Sequence, residues 1–173
     1  MKPCPETPAL DDADLSGHVW IQELPTGAQF RFQVAPSGLV TFATATQSFD
    51  TVAAVPAQFR RAAETINERL DRETLDAATD DPSGVTFCGV ATRNEGVEYD
   101  WGTLPPFVGV DVWSGPQDRY LSPDVASGVF ERLGVPTLAA IEKERPAAHT
   151  DLTQFDEPAG VPRSAWRDGP AAG

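Results

Sequence analysis

Residues 18–34 read HVWIQELPTGAQFRFQV, and the reading of this stretch decides the fold. On both sides of ELPTG the residues alternate apolar and polar, the two-residue period of a strand with one face buried. Phe30, Phe32 and Val34 fall on one face, and Arg31 points the other way. PTG at 25–27 is turn chemistry: proline presets one backbone angle and glycine permits what a side chain would forbid. A third run at 38–44, set off by PSG at 36–38, extends the pattern to three strands (18–23, 28–34 and 38–44) and an antiparallel meander.

At Pro56 the period changes. Phe59, Ala62, Ala63, Ile66 and Leu70 recur at helical spacing, with Arg60, Arg61, Glu64 and Glu68 outward, where the arginines are expected to pair with the glutamates one turn away. ETLDAATDDPSG at 73–84 reads as a loop. VTFCGVA at 85–91 and FVGVDVW at 107–113 return to strand chemistry around a loop at 93–106. Ser122 followed by Pro123 starts a second helix and Gly134 stops it, with Val125, Val129, Phe130 and Leu133 as its apolar stripe. Residues 137–144 suit a third helix, and the proline- and glycine-rich remainder is expected to be extended. Strands, helix, strands, helices in that order predict an α+β domain at 17–145, a flexible segment at 1–16 and an extended tail at 146–173.

Composition narrows the setting. The 173 residues hold 26 acidic and 13 basic side chains, a net charge of −13, and lysine occurs only at Lys2 and Lys143. Hydrated carboxylates with few lysine stems suit a surface wetted by concentrated salt. At that ionic strength the Debye length is a few ångströms, so acidity does not exclude a nucleic-acid partner. Cys4 and Cys88 show neither paired spacing nor a histidine cluster, so the expectation is no disulfide, no zinc site and a reducing compartment. No apolar run is long enough for a membrane span, and residues 1–16 lack the pattern of a secretory signal, which predicts a cytoplasmic protein with no membrane partner.

The motif order E-L-P-T-G-A-Q-F-R-F, F-A-T-A, T-F-C-G-V-A-T, Y-D-W and P-P-F-V-G-V-D-V resembles the ATP-dependent RNA ligase family, a branch of the covalent nucleotidyltransferases. The resemblance covers about 18–145. It implies a partial nucleotidyltransferase domain of the RNA/DNA ligase type (an ATP-grasp-like adenylation fold), with antiparallel sheet against packed helices. In that family the first motif is E-K-x-D-G, whose lysine attacks the α-phosphate of ATP, with Mg²⁺, to form a lysyl-adenylate that is then used to join nucleic-acid ends. Glu23 and Gly27 match its ends, but Leu24 stands at the lysine and Thr26 at the aspartate. A hydrocarbon has no lone pair to offer as a nucleophile.

Further departures follow from the same resemblance. Ala45 stands where the family places a phosphate-facing arginine, and Cys88-Gly89-Val90 replaces F-G-E, so Val90 takes the place of the ribose-binding carboxylate. Gly109-Val110-Asp111 replaces G-F-D: Val110 cannot stack on adenine, while Asp111 is kept. The family's later E-G-V-V and K-x-K motifs do not occur, and Ala172-Gly173 falls where the first would begin. The resemblance thus implies an RNA-ligase-like protein without its nucleophile, inactive alone, with no catalytic residue assigned, that retains nucleotide or RNA binding. The alternatives are an interaction module that uses an open sheet edge, for a protein partner or for self-association, and half of a ligase completed by another chain.

Other candidates are weaker. His18 and His149 lack acid–base partners at a telling spacing. Asp80-Asp81, or Asp100 with Asp111, could suit Mg²⁺ by residue type alone. Trp20, Trp101 and Trp113 read first as core and second as stacking platforms for bases. Arg31 is the remaining candidate phosphate contact.

Overall fold

The computed structural model describes residues 1–6, 16–79, 81–150 and 161–171. Its strands are β1 (His18–Glu23), β2 (Gly27–Val34), β3 (Val40–Ala43), β4 (Ser48–Phe49), β5 (Val85–Thr92), β6 (Phe107–Ser114), β7 (Arg119–Tyr120) and β8 (Ala139–Pro146). Its helices are α1 (Ala57–Arg69), α2 (Arg72–Ala78) and α3 (Pro123–Arg132). Among the described residues, six strands form one antiparallel sheet in the order β4-β3-β2-β5-β6-β7, and β1 pairs with β8 in a second sheet of two.

The alternation read from the sequence sets the two faces of the large sheet. Phe30, Phe32 and Val34 of β2 are buried with Phe87 of β5 and with Phe107 and Val112 of β6. Across β2 and β5, Phe32 stacks on Phe87 with ring centroids 4.6 Å apart. Phe59 of α1 stacks on Phe30 at 5.5 Å, and Phe130 of α3 meets Phe87 at 5.9 Å. Small residues let the layers close: a Cβ on Gly109 of β6 would fall 2.6 Å from the Phe130 ring. All three helices contribute to this core, α2 through Leu75.

Several elements depart from the sequence reading. The meander is incomplete, because β1 does not pair with β2 across the turn and its partner is β8, more than a hundred residues on in the chain. The expected third helix at 137–144 is instead largely that strand, whose residues are all exposed or half-buried. Residues 73–84 are not all loop, since α2 occupies Arg72–Ala78. The signal was Asp71, whose carboxylate accepts from the Thr74 backbone N–H at 2.9 Å and from its hydroxyl at 2.7 Å. Those hydrogen bonds hold the Asp71 carboxyl below its usual range, as expected of a helix N-cap. In α3, Ser122 is the cap and Gly134 follows the helix at φ 71°, but Val125 faces solvent and Ala126 takes its place in the core.

The cysteines overturn an expectation as well. Cys4 and Cys88 form a disulfide that joins positions 84 residues apart. Residues 1–6 therefore lie against the large sheet instead of floating free, and the ground for inferring a reducing compartment is gone. Residues 7–15 of the expected flexible segment at 1–16 lie outside the described residues. No helix among the described residues is long and apolar enough to cross a membrane.

The tail also folds back. Trp166 joins Tyr99, Leu104, Val108 and Leu138 in a second apolar cluster on the face of the large sheet away from the helices. It is the buried tryptophan, whereas Trp101 is exposed and Trp20 and Trp113 are half-buried, contrary to the core reading of those three. Residues 151–160 and 172–173, including the Ala172-Gly173 position, are outside the described residues.

Truncation of Phe32 to alanine removes a ring shared by β2, β5 and β6, and it should lower unfolding free energy by about 3–5 kcal/mol. Urea denaturation followed by far-UV circular dichroism checks this: the midpoint should fall without a change in slope.

Candidate functional site

Every second residue of β2, β5 and β6 turns away from the helices, so the outward face of these strands is assembled by the same periodicity that builds the core. Register places Arg31 of β2 opposite Cys88 of β5, and Cys88 opposite Asp111 of β6. Between Cys88 and Gly89 the ladder slips, because β6 carries one extra residue there. The bulge at Val110 turns both Val110 and Asp111 toward the outward cleft.

That cleft, about 240 Å³, is lined by Leu24, Gly27, Gln29, Cys88, Gly89, Val90, Val110 and Asp111, together with Cys4 and Pro5. Of the positions singled out from sequence, Leu24, Gly27, Gly89, Val90, Val110 and Asp111 are therefore brought together. Leu24 is exposed at the mouth, at the start of the turn between β1 and β2. Gly27 is required by close approach, since a Cβ there would run into the carbonyl oxygen of Ala91.

Glu23, Thr26, Ala45 and Arg31 do not line the cleft; Arg31 stands beside it, on the far side of Cys88 from Asp111. Glu23 is 2% exposed, and its carboxylate accepts from the Ser164 hydroxyl at 2.6 Å and from the Ala165 backbone N–H at 2.8 Å. It fastens residues 161–171 to the end of β1. Thr26 ties the turn to the end of β5: its hydroxyl donates to the Arg93 carbonyl at 2.9 Å, the Arg93 N–H donates to its carbonyl at 3.1 Å, and its own N–H donates to the Tyr99 hydroxyl oxygen at 3.2 Å. Ala45 lines a separate hollow with Gln29, Gln58 and Phe59. The Arg93 guanidinium lies 5.8 Å from that Phe59 ring and pairs with Glu95 at 2.8 Å.

Electrostatics differ across the cleft floor. Burial alone pushes the Asp111 carboxyl above its usual range, for it stands on a strand face that water reaches poorly. Tyr120 of β7 is raised first by burial and then by the negative charge of Asp111, while Arg31 pulls it the other way, so these three groups share one field. Arg31 is half-buried and its Nε has no hydrogen-bond partner among the described residues. Asp111 and Gln29 can accept from hydroxyl or amine donors, and Val90 and Val110 offer apolar wall, which together suit a nucleoside better than a bare phosphate.

The remaining candidates disperse. Asp100 accepts from the Gly102 N–H within its own turn at 2.9 Å, Asp81 binds Ser83, and Asp80 is outside the described residues. No cluster of three or more His, Cys, Asp or Glu that could hold a metal occurs among the described residues. His18 is exposed at the start of β1, and nothing is described of the His149 side chain. Arg60 turns back to the Val55 carbonyl at 3.4 Å instead of pairing with glutamate, and Arg61 borders a larger cavity of about 500 Å³ between α1 and residues 101–106. Lysine placement also differs from expectation. The Lys2 ammonium sits 3.8 Å from the centroid of Trp113, near the cleft, and Lys143 lies on strand β8, over Trp20 at 5.0 Å.

The architecture is similar to that of known ligases. An archaeal ATP-dependent RNA ligase, form 1, matches over 82% of this chain at a TM-score of 0.58 and 17% identity. Form 2 matches over 73% at 0.50 and 18%. A protein of Aquifex aeolicus assigned as an ATP-dependent DNA ligase matches over 79% at 0.51 and 12%. The matched parts are 37%, 32% and 35% of those chains, so this chain spans about a third of their length. The fold is thereby the α+β, antiparallel nucleotidyltransferase fold of the RNA/DNA ligase type. No protein-family model and no curated protein sequence matches the chain.

Two outcomes test this geometry. Replacement of Glu23 by alanine should free residues 161–171, shift Trp166 emission to longer wavelength and cost about 1.5–3 kcal/mol, as expected for hydrogen bonds to a charged group. For Asp111 the sign follows from its raised value. Its protonated form is favoured in the folded state, so its contribution is most favourable below the ordinary aspartate range and declines as pH rises through the folded value. Asp111→Asn should therefore raise the urea midpoint at pH 7, with the gain shrinking toward pH 3.

Proposed function

We propose that this protein is a ligase-fold protein that does not form a lysyl-adenylate and that uses its cleft to bind a nucleotide unit, free or at an RNA end. One observation supports the loss of chemistry above the others: Leu24 stands at the cleft mouth where the resemblance to RNA ligases calls for the attacking amine, and no lysine lines the cleft. Nucleophilic attack on the α-phosphate needs a nitrogen lone pair within reach, which an isobutyl side chain does not supply. Phosphate stabilisation is weakened too, since Ala45 stands in place of the phosphate-facing arginine and lies in another hollow, and the ribose loses a partner where Val90 stands in place of a carboxylate.

Binding rests on different residues. Asp111 and Gln29 remain available to ribose hydroxyls or an exocyclic amine, with Val90 and Val110 beside the base. ATP and Mg²⁺, the reagents of the ligases it resembles, are the natural probes. At the large sheet strand addition is a poorer account of a partner, because its outer strands, β4 and β7, have two residues each. Short edge strands offer few free backbone groups.

Incubation with α-labelled ATP and Mg²⁺ in high salt, followed by a denaturing gel, should leave the unmodified chain unlabelled, while equilibrium binding of ATP is retained after reduction. A stoichiometric covalent adduct would overturn the inactive reading. Peptide mass spectrometry would then locate it on Lys2 or Lys143, the two lysines of the chain. An adduct that appears only when a second polypeptide is added would favour the split-ligase alternative.

A further inference from the structure

The segment 1–6 lies along the same outward face that forms the cleft floor. The Lys2 backbone N–H donates to the Thr86 hydroxyl at 3.2 Å, and the Lys2 ammonium lies over Trp113 at 3.8 Å. The Tyr120 hydroxyl donates to the Pro3 carbonyl. Cys4 is bonded to Cys88, and Cys4 and Pro5 form part of the cleft lining. These contacts run over β5, β6 and β7 and end on the residue that stands between Arg31 and Asp111.

With this segment in place, the cleft measures about 240 Å³. Small-molecule sites range over roughly 300–1,000 Å³. The segment therefore takes space that a nucleotide would need. Its noncovalent hold is light, since Lys2 and Pro3 are exposed, whereas the disulfide pins it at one point to a central strand.

We propose that residues 1–6 are an intramolecular occupant of the cleft and that Cys4–Cys88 is a reversible redox site that holds or releases it. The inference rests on the reading of the cleft as a nucleotide-unit site. The reductant is a dithiol. One of its thiolates attacks Sγ of Cys4, which is half-buried, in preference to that of Cys88, which is 1% exposed. The Cys4–Cys88 bond breaks, a mixed disulfide forms on Cys4 and Cys88 leaves as thiolate. The second thiol of the reductant then displaces Cys4. Two electrons pass to the protein, both cysteines end as thiols after taking up protons, and the reductant ends as a disulfide. The segment is then held only by its exposed contacts, and the cleft floor at Cys88 and Asp111 opens to ligand.

The full chain, purified without reductant, should show no free thiol when denatured and both cysteines as thiols after dithiothreitol. Reduction should change the part of the tryptophan emission that a Trp113→Phe variant lacks, because the Lys2 ammonium leaves that ring. ATP and a 5′-phosphorylated RNA oligonucleotide, tested separately, should bind at least about tenfold more tightly to the reduced chain and to Cys4→Ser than to the oxidised chain, the factor expected when a competent state rises from a minor to a major population. Which probe gains affinity tells a free nucleotide from an RNA end. Free thiols in the unreduced protein, Trp113 emission indifferent to reduction, or equal affinity before and after would each overturn the inference. Equal affinity would do so while leaving the nucleotide reading intact. Release of the segment with no binding of either probe in any state would instead remove the nucleotide reading and leave the redox occupant standing.

Discussion

The burial of one face of β2, β5 and β6 governs the rest of the molecule. Phe30, Phe32, Phe87 and Phe107 lie on that face under α1 and α3, and with a side-chain period of two their neighbours must face the other way. A slip of one residue in any of these strands would put phenylalanines into the cleft and Arg31, Cys88 or Asp111 into the core. Register is thus held by the aromatic layer, and the cleft floor is its reverse side. The bulge beside Gly89 adds the one local adjustment, which brings Val110 and Asp111 to the same side.

Cover for that second face comes from distant parts of the chain. β8 pairs with β1, Trp166 packs on Val108, and Glu23 is satisfied by Ser164 and Ala165. A buried carboxylate without such donors would be costly, so the anchoring of residues 161–171 and the burial of Glu23 depend on each other. The disulfide adds a third link, from residue 4 to the middle of the sheet. By chain-entropy arguments, a crosslink closing a loop of this length contributes about 4.5 kcal/mol.

In the proposed reading, fold and chemistry have separated. The aromatic layer, the turn after β1 and the glycines that allow close approach build this architecture. In the ligases that the sequence resembles, adenylation needs an amine at one position of that turn; Leu24, which stands there by resemblance, is exposed and belongs to neither apolar cluster, so the fold does not depend on that side chain. Fold similarity therefore says where a ligand could lie, while the side chains at that place say what can happen to it.

Local pattern in the sequence determined the strands at 28–34, 85–91 and 107–113, the helix after Pro56 and the helix between Ser122 and Gly134, because each is written in a periodicity that neighbouring residues share. Through a resemblance that lies in motif order and needs no contacts, the same reading grouped Glu23, Leu24, Thr26, Gly27, Ala45, Gly89, Val90, Val110 and Asp111; Leu24, Gly27, Gly89, Val90, Val110 and Asp111 line one cleft, while Glu23, Thr26 and Ala45 lie outside it. Tertiary structure alone decided that residues 139–146 are a strand, that Glu23 and Trp166 are buried, and that Cys4 meets Cys88. Each of these depends on a partner far away in the chain. Residues 139–146, AAIEKERP, have no strong period of their own, and they extend because β1 presents unpaired backbone groups to them. Two cysteines at a separation of 84 hold no local signal of pairing, since only the path of residues 1–6 over the sheet brings their Cα atoms to 5.7 Å.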